Sequence, residues 1–118
     1  MISDKDFLDF NYNVISGNSF IKGDLTLCGH TIITSHIEGS IEIKDQGKLI
    51  LERGSKVQGK VQAFDLDIYG EVQGDIESSG LVSIRSSAFV HGSIKCARLV
   101  VYPGAKVEMK AISEETNS

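Results

Sequence analysis

The sequence predicts an all-β chain wound into a parallel β-solenoid of about six coils, each of about 17 residues, with a triangular cross-section. Three observations predict it. The first is a recurring pattern: small residue, variable residue, branched or long aliphatic, polar residue, glycine, polar residue, aliphatic. It is clearest in Ala88-Phe89-Val90-His91-Gly92-Ser93-Ile94 and recurs in Ser19–Leu25, Ser35–Ile41, Ser55–Val61 and Gly70–Ile76. A decayed copy, Ala105–Ala111, carries Met109 in place of the glycine. The second is spacing. The first aliphatic of each copy is Ile21, Ile37, Val57, Val72, Val90 and Val107, so successive gaps are 16, 20, 15, 18 and 17 residues. The third is alternation between apolar and polar residues in every segment that joins the copies, the period of a strand.

The elements follow in chain order. Residues 1–13 precede the repeat. Leu8, Phe10, Tyr12 and Val14 alternate with Asp9, Asn11 and Asn13, a strand-like period. This segment reads as a flexible terminus, as a cap over the first coil, or as a membrane contact through Ile2, Phe7, Leu8 and Phe10. Asp4, Asp6 and Asp9 oppose the last reading, because anionic lipid repels them. The solenoid is expected over 14–112. Between the motif copies run Lys48–Leu51, Asp65–Ile68, Leu81–Ile84 and Arg98–Val101, so each coil has three short faces. In the coil starting at Gly59, Val61, Ala63, Leu66, Ile68, Gly70 and Val72 are expected to point in. Lys60, Gln62, Asp67, Glu71 and Gln73 are expected to point out.

The motif glycine is placed at a corner, where a residue without Cβ tolerates the bend. The small residue before the first aliphatic faces the narrow core, which cannot hold large side chains at every position. Gln46-Gly47, Arg53-Gly54, Ser79-Gly80 and Pro103-Gly104 are turn dipeptides at the remaining corners. Residues 113–118 are polar and are expected to be disordered.

Composition narrows the function classes. The chain has 118 residues, enough for one domain, with no Trp, one Pro and twelve Gly. A net charge of −4 argues against a nucleic-acid partner, which needs a basic face. No apolar run is long enough to span a membrane. The first residues lack the basic start and apolar stretch of a secretory signal, so a cytoplasmic location is expected. Cys28 and Cys96 are then expected to be buried, reduced thiols.

No catalytic, metal or cofactor constellation emerges. Gly17–Asp24 resembles a phosphate loop only loosely, since the required Gly-Lys-Ser/Thr ending is replaced by Lys-Gly-Asp. His30, His36 and His91 are scattered, and the last two take outward motif positions. Cys96 aligns with Ile43, Ala63 and Ser78, four residues after the glycine, and reads as a small core filler.

The coil ends carry the functional signal. A parallel solenoid exposes backbone groups and an apolar cross-section at each end unless something covers them. Neither terminus shows an amphipathic helix suited to that task. The first coil presents Phe20, Ile21 and Leu25, and the last presents Val107, Met109, Ala111 and Ile112. End-to-end association of identical chains is therefore expected, giving open filaments without nucleotide. Six coils at about 4.8 Å make a building block roughly 30 Å long.

The copies at Ser35–Ile41, Ser55–Val61, Gly70–Ile76 and Ala88–Ile94, with their spacing and polar tails, resemble the bactofilins over about residues 14–112. The resemblance implies a right-handed parallel β-helix and a bacterial cytoskeletal protein that polymerises without nucleotide. It also implies a place at the inner face of the cytoplasmic membrane, reached through an N-terminal segment, and a role as scaffold for cell-wall enzymes or other client proteins that set cell shape. The family's aromatic contact at the C-terminal interface has no counterpart here; Met109 and Ile112 are the large apolar residues in that place. The competing fold is the left-handed β-helix of hexapeptide-repeat acyltransferases, which are trimeric enzymes. It requires an aliphatic every six residues, whereas the aliphatics here are four apart around the glycine and two apart in Leu49/Leu51 and Leu66/Ile68.

Overall fold

A computed structural model describes residues 12–15, 20–44 and 46–116, and among these every regular element is a β-strand. In chain order they are β1 (Tyr12–Ile15), β2 (Phe20–Cys28), β3 (His30–Ile33), β4 (His36–Lys44), β5 (Lys48–Leu51), β6 (Lys56–Ala63), β7 (Asp65–Ile68), β8 (Glu71–Ser78), β9 (Leu81–Ile84), β10 (Phe89–Val101) and β11 (Lys106–Thr116). Short and long strands alternate, and each pairs in parallel with its counterpart one coil away. The long strands stack as β2-β4-β6-β8-β10-β11 and the short ones as β1-β3-β5-β7-β9, joined through the second half of β10. Five successive ladders in the long stack separate six rungs, so the chain completes about five full turns. This is the stacked parallel solenoid that the repeat predicts.

The registers explain the variable repeat length. Gly23, Gly39, Gly59, Gly74, Gly92 and Met109 lie opposite one another from rung to rung, although 15 to 20 residues separate neighbours along the chain. Extra residues are absorbed between the strands, never inside the motif. The five glycines have φ between +135° and +143°, a region that side chains rarely tolerate. They bend the long strands and so divide each coil into three faces. At Gly39, Gly59, Gly74 and Gly92 an added Cβ would also overlap the carbonyl oxygen of the glycine one rung before.

Inside the coil the expected columns are filled. Ile37, Val57, Val72 and Val90 are fully buried, as are Ile33, Leu51, Ile68 and Ile84 on the short-strand wall. The small column holds Ser35, Ser55, Gly70 and Ala88, all buried. Ser55 Oγ is accommodated by donating to the Glu52 carbonyl at 2.6 Å. Cys96 is buried with Ile43, Ala63 and Ser78, as the alignment requires.

Three particulars differ from the sequence reading. Asp67 occupies an outward position, yet it is only 6% exposed. Lys48 Nζ at 3.0 Å and an Arg85 guanidinium nitrogen at 3.4 Å close over its carboxylate from neighbouring coils. Cys28 is exposed, because β2 alternates and the inward position belongs to Leu27. A thiol reagent such as Ellman's is therefore expected to react quickly with one equivalent per native chain. A Cys28→Ser variant should lose that fast phase, since Cys96 is buried; a fast phase that survives would count against this fold. Finally, pairing extends past residue 112. Ser113 lies opposite Cys96, Glu115 opposite Arg98 and Thr116 opposite Leu99. Ladder hydrogen bonds join backbones and need no apolar side chain.

Candidate functional site

The two ends of the solenoid differ from its interior in the pairing of their strands. At the N-terminal end β1 and β2 are edge strands: β1 pairs with β3 and β2 with β4, and no described strand lies on their other side. At the C-terminal end β11 pairs with β10, and no described strand follows it. The edge strands β2 and β11 span nine and eleven residues, long rows of unpaired backbone donors and acceptors that suit the addition of another strand.

The side chains on these edges repeat those of the interior. Ile21 and Leu25 occupy the columns of Ile37 and Ile41, which are fully buried one coil away. Ile21, Leu25 and Leu27 are only partly buried, because nothing described covers their outer side. Val107 stands in the same relation to fully buried Val90 and is likewise partly buried. Phe20 differs from its neighbours on β2. It lies opposite His36 on the outer column, is 56% exposed, and meets the His36 ring edge-on at 4.7 Å between centroids. It therefore sits at the rim of the end face.

The backbone register sorts the remaining C-terminal residues. Met109 lies opposite Gly92, Ala111 opposite buried Ile94, and Ile112 opposite exposed Lys95. Val107 thus continues a core column, and Ala111 and Ile112 hold the register positions of Ile94 and Lys95. Ile2, Phe7, Leu8 and Phe10, the expected membrane residues, lie outside the described residues.

The three histidines lie apart in the described coils. His30, His36 and His91 fall on β3, β4 and β10 and are not brought together. His91 Nδ1 lies 3.6 Å from Glu108 Oε2, and both side chains are mostly exposed. Among the described residues no cluster of His, Cys, Asp or Glu could hold a metal ion, and no helix is long and apolar enough to cross a membrane. The outer face of the long strands carries polar ladders instead. Ser40 Oγ donates to Asp24 at 2.8 Å, Ser93 Oγ to Asp75 at 2.6 Å and Gln58 Nε2 to Gln73 at 3.2 Å. The two serine–aspartate contacts are exposed and the glutamine pair is part-buried.

Comparison with known proteins decides the family. The family model for bactofilins, described as polymer-forming cytoskeletal, matches residues 13–111. The chain belongs to the bactofilin family. The bactofilin BacO of Myxococcus xanthus is 28% identical over 94 residues, covering 79% of this chain and 73% of that protein. An uncharacterized transporter of Schizosaccharomyces pombe, C18H10.16, is 28% identical over 110 residues, covering 86% of this chain but only 10% of the transporter. No solved structure matches. The bactofilin match spans nearly the whole stack of coils.

Proposed function

We propose that this bactofilin polymerises end to end without nucleotide, and that the filament is a scaffold for cell-shape or cell-wall machinery at the cytoplasmic membrane. The proposal makes assembly, and not catalysis, its activity. One observation carries it. The terminal coils keep the interior's aliphatic columns, in interior register, with no described strand on their outer side. Stacking a second subunit there removes apolar surface from water, on the order of 25 cal/mol per Å². It also gives the edge strands β2 and β11 partners for their free backbone groups. The ladders already formed need no bound phosphate, so the same ladder across a subunit boundary should need none.

Electron microscopy of the purified protein in nucleotide-free buffer tests this reading. Filaments are expected, unchanged in number after treatment with a phosphatase that destroys ATP and GTP. A stable monomer or a closed trimer at micromolar concentration would sink the proposal.

A further inference from the structure

The corner that leads from the short strands into the long ones is not built alike in every coil. Five residues join Leu51 to Val57, Ile84 to Val90 and Val101 to Val107, but only three join Ile68 to Val72. The flanking strands stay in register through all four coils, so the shortfall falls at this corner alone. Two adjacent full-length turns lean on each other: a Cβ on Gly104 would lie 3.3 Å from Ser86. A Cβ on Gly54 has nothing within 4 Å, and the turn that follows it is the short Tyr69-Gly70. The result is a notch of about 470 Å³ in the side of the rod. Arg53 and Gly54 line it from the coil before, Ser87 and Phe89 from the coil after, and Tyr69 and Gly70 form its floor.

We infer that this notch docks a short extended segment of a partner protein, one that carries a carboxylate beside an aromatic side chain. Width selects an extended chain. Neighbouring rungs are about 4.8 Å apart, so a turn cut back in one rung leaves a gap one strand thick between the turns that flank it. The lining selects the side chains. Tyr69 and Phe89 are half-buried rings at the notch, able to pack against another ring. Arg53 is exposed and has no acidic partner among the described residues, whereas Lys56 is paired with Glu71 and Arg85 with Asp67. Its planar guanidinium is suited to hold a carboxylate by two parallel hydrogen bonds. The wider corner favours an acidic partner too. Residues 52–56, 69–71, 85–89 and 102–106 carry Arg53, Lys56, Arg85 and Lys106 against Glu52 and Glu71, an excess of positive charge in a chain of net charge −4. The same corner gathers Tyr69, Phe89, Tyr102, Arg53 and Arg85, residue types that dominate binding hot spots. The walls are fixed before any partner arrives. Ser87 Oγ donates to the Tyr69 carbonyl at 2.8 Å, and the Tyr69 ring lies 5.5 Å from the Arg85 guanidinium. The inference rests on the scaffold reading for the partner's purpose, but not on the end contacts, since the notch lies on the side of the rod.

Selection from a random dodecapeptide library displayed on phage tests it, with the full chain carrying Val107→Lys and wild-type filaments panned in parallel. Enrichment of peptides that place Asp or Glu beside Phe, Tyr or Trp is expected on both. A fluorescein-labelled copy of the most enriched peptide should bind at least tenfold more weakly to Arg53→Glu. It should also bind at least tenfold more weakly to a chain with two serines inserted between Tyr69 and Gly70, which restores the length of Arg85-Ser86-Ser87-Ala88 and fills the notch. Circular dichroism checks that both variants are folded, and Arg53→Glu, on an exposed turn, decides the matter should the insertion not fold. No enrichment, or enrichment of basic or purely aliphatic peptides, would overturn the inference. So would binding unchanged in Arg53→Glu or in a folded insertion variant. The expected binding to Val107→Lys, found without any wild-type filaments, would support the notch and sink the end-to-end reading.

Discussion

Replacing Gly74 by alanine is expected to unfold the solenoid, while the same change at Gly23 leaves it folded. Both glycines occupy the same register position, at φ +138° and +135°. Alanine at either site carries the strain of a sparsely populated backbone region, of order 1–3 kcal/mol. The surroundings then separate them. A Cβ on Gly74 overlaps the Gly59 carbonyl oxygen and lies 2.8 Å from its carbon, whereas a Cβ on Gly23 has nothing within 4 Å. The atom in the way at Gly74 is backbone held in a ladder on both sides, so it cannot yield as a side-chain tip would. The rungs must separate locally, with loss of ladder hydrogen bonds and opening of the core at Val72 and Ile76. Several kcal/mol is expected at Gly74, against a total stability of about 5–15 kcal/mol for a domain. Urea unfolding followed by circular dichroism measures both, in a Val107→Lys background so that subunit contacts do not add to the stability of Gly23. Equal losses at the two positions would refute the glycine column as the spacer of the stack.

Much of this structure is legible in the sequence because the repeat is written in residue types whose physics is local. A glycine required at φ near +140° and an aliphatic required every second position of a strand recur wherever the coil recurs, so Gly39, Gly59, Gly74 and Gly92 locate the register directly. The misreadings occur where burial is decided by residues from other coils. Nothing near Asp67 in the chain says that Lys48 and Arg85 will cover it. The alternation of Leu8, Phe10, Tyr12 and Val14 with Asp9, Asn11 and Asn13 does not say which face turns inward, and in β1 Val14 faces outward. Asn13 Nδ2 donates to the Cys28 carbonyl at 2.7 Å and to Thr31 Oγ1 at 3.2 Å, Ile15 packs on the core, and Val14 faces out. A short strand joins the stack by its fit to the rung beside it, which no periodicity within its own residues records. Ile21, Leu25 and Val107 follow from the repeat itself, because they hold the columns of Ile37, Ile41 and Val90 on the first and last described rungs of the long stack.

Val107→Lys should abolish filaments while leaving a folded chain. Val107 and Val90 are successive members of one inward column, yet Val90 is fully buried between β8 and β11 whereas Val107, on the last rung, is covered from one side. Lysine at 107 can run its methylenes along the Val90 side and turn its ammonium towards the open end, where water remains. The isolated chain loses about 1–2 kcal/mol by this change. With a second subunit stacked on that end, the same ammonium would be sealed in the aliphatic core without a partner, a penalty of several kcal/mol per ion. Each 1.4 kcal/mol is a factor of ten in association, so the concentration needed for assembly rises by at least about a hundredfold. Ile21→Lys is expected to do the same from the other end, and Val90→Lys to unfold the protein outright. Sedimentation and electron microscopy read the polymer, and circular dichroism reads the fold. Filaments that persist in both Ile21→Lys and Val107→Lys, with the fold intact, would show that the coil ends are not the contact. Loss of filaments together with the circular-dichroism signal in Val107→Lys would move the question to Ile21→Lys, whose edge strand is paired with β4 through nine residues.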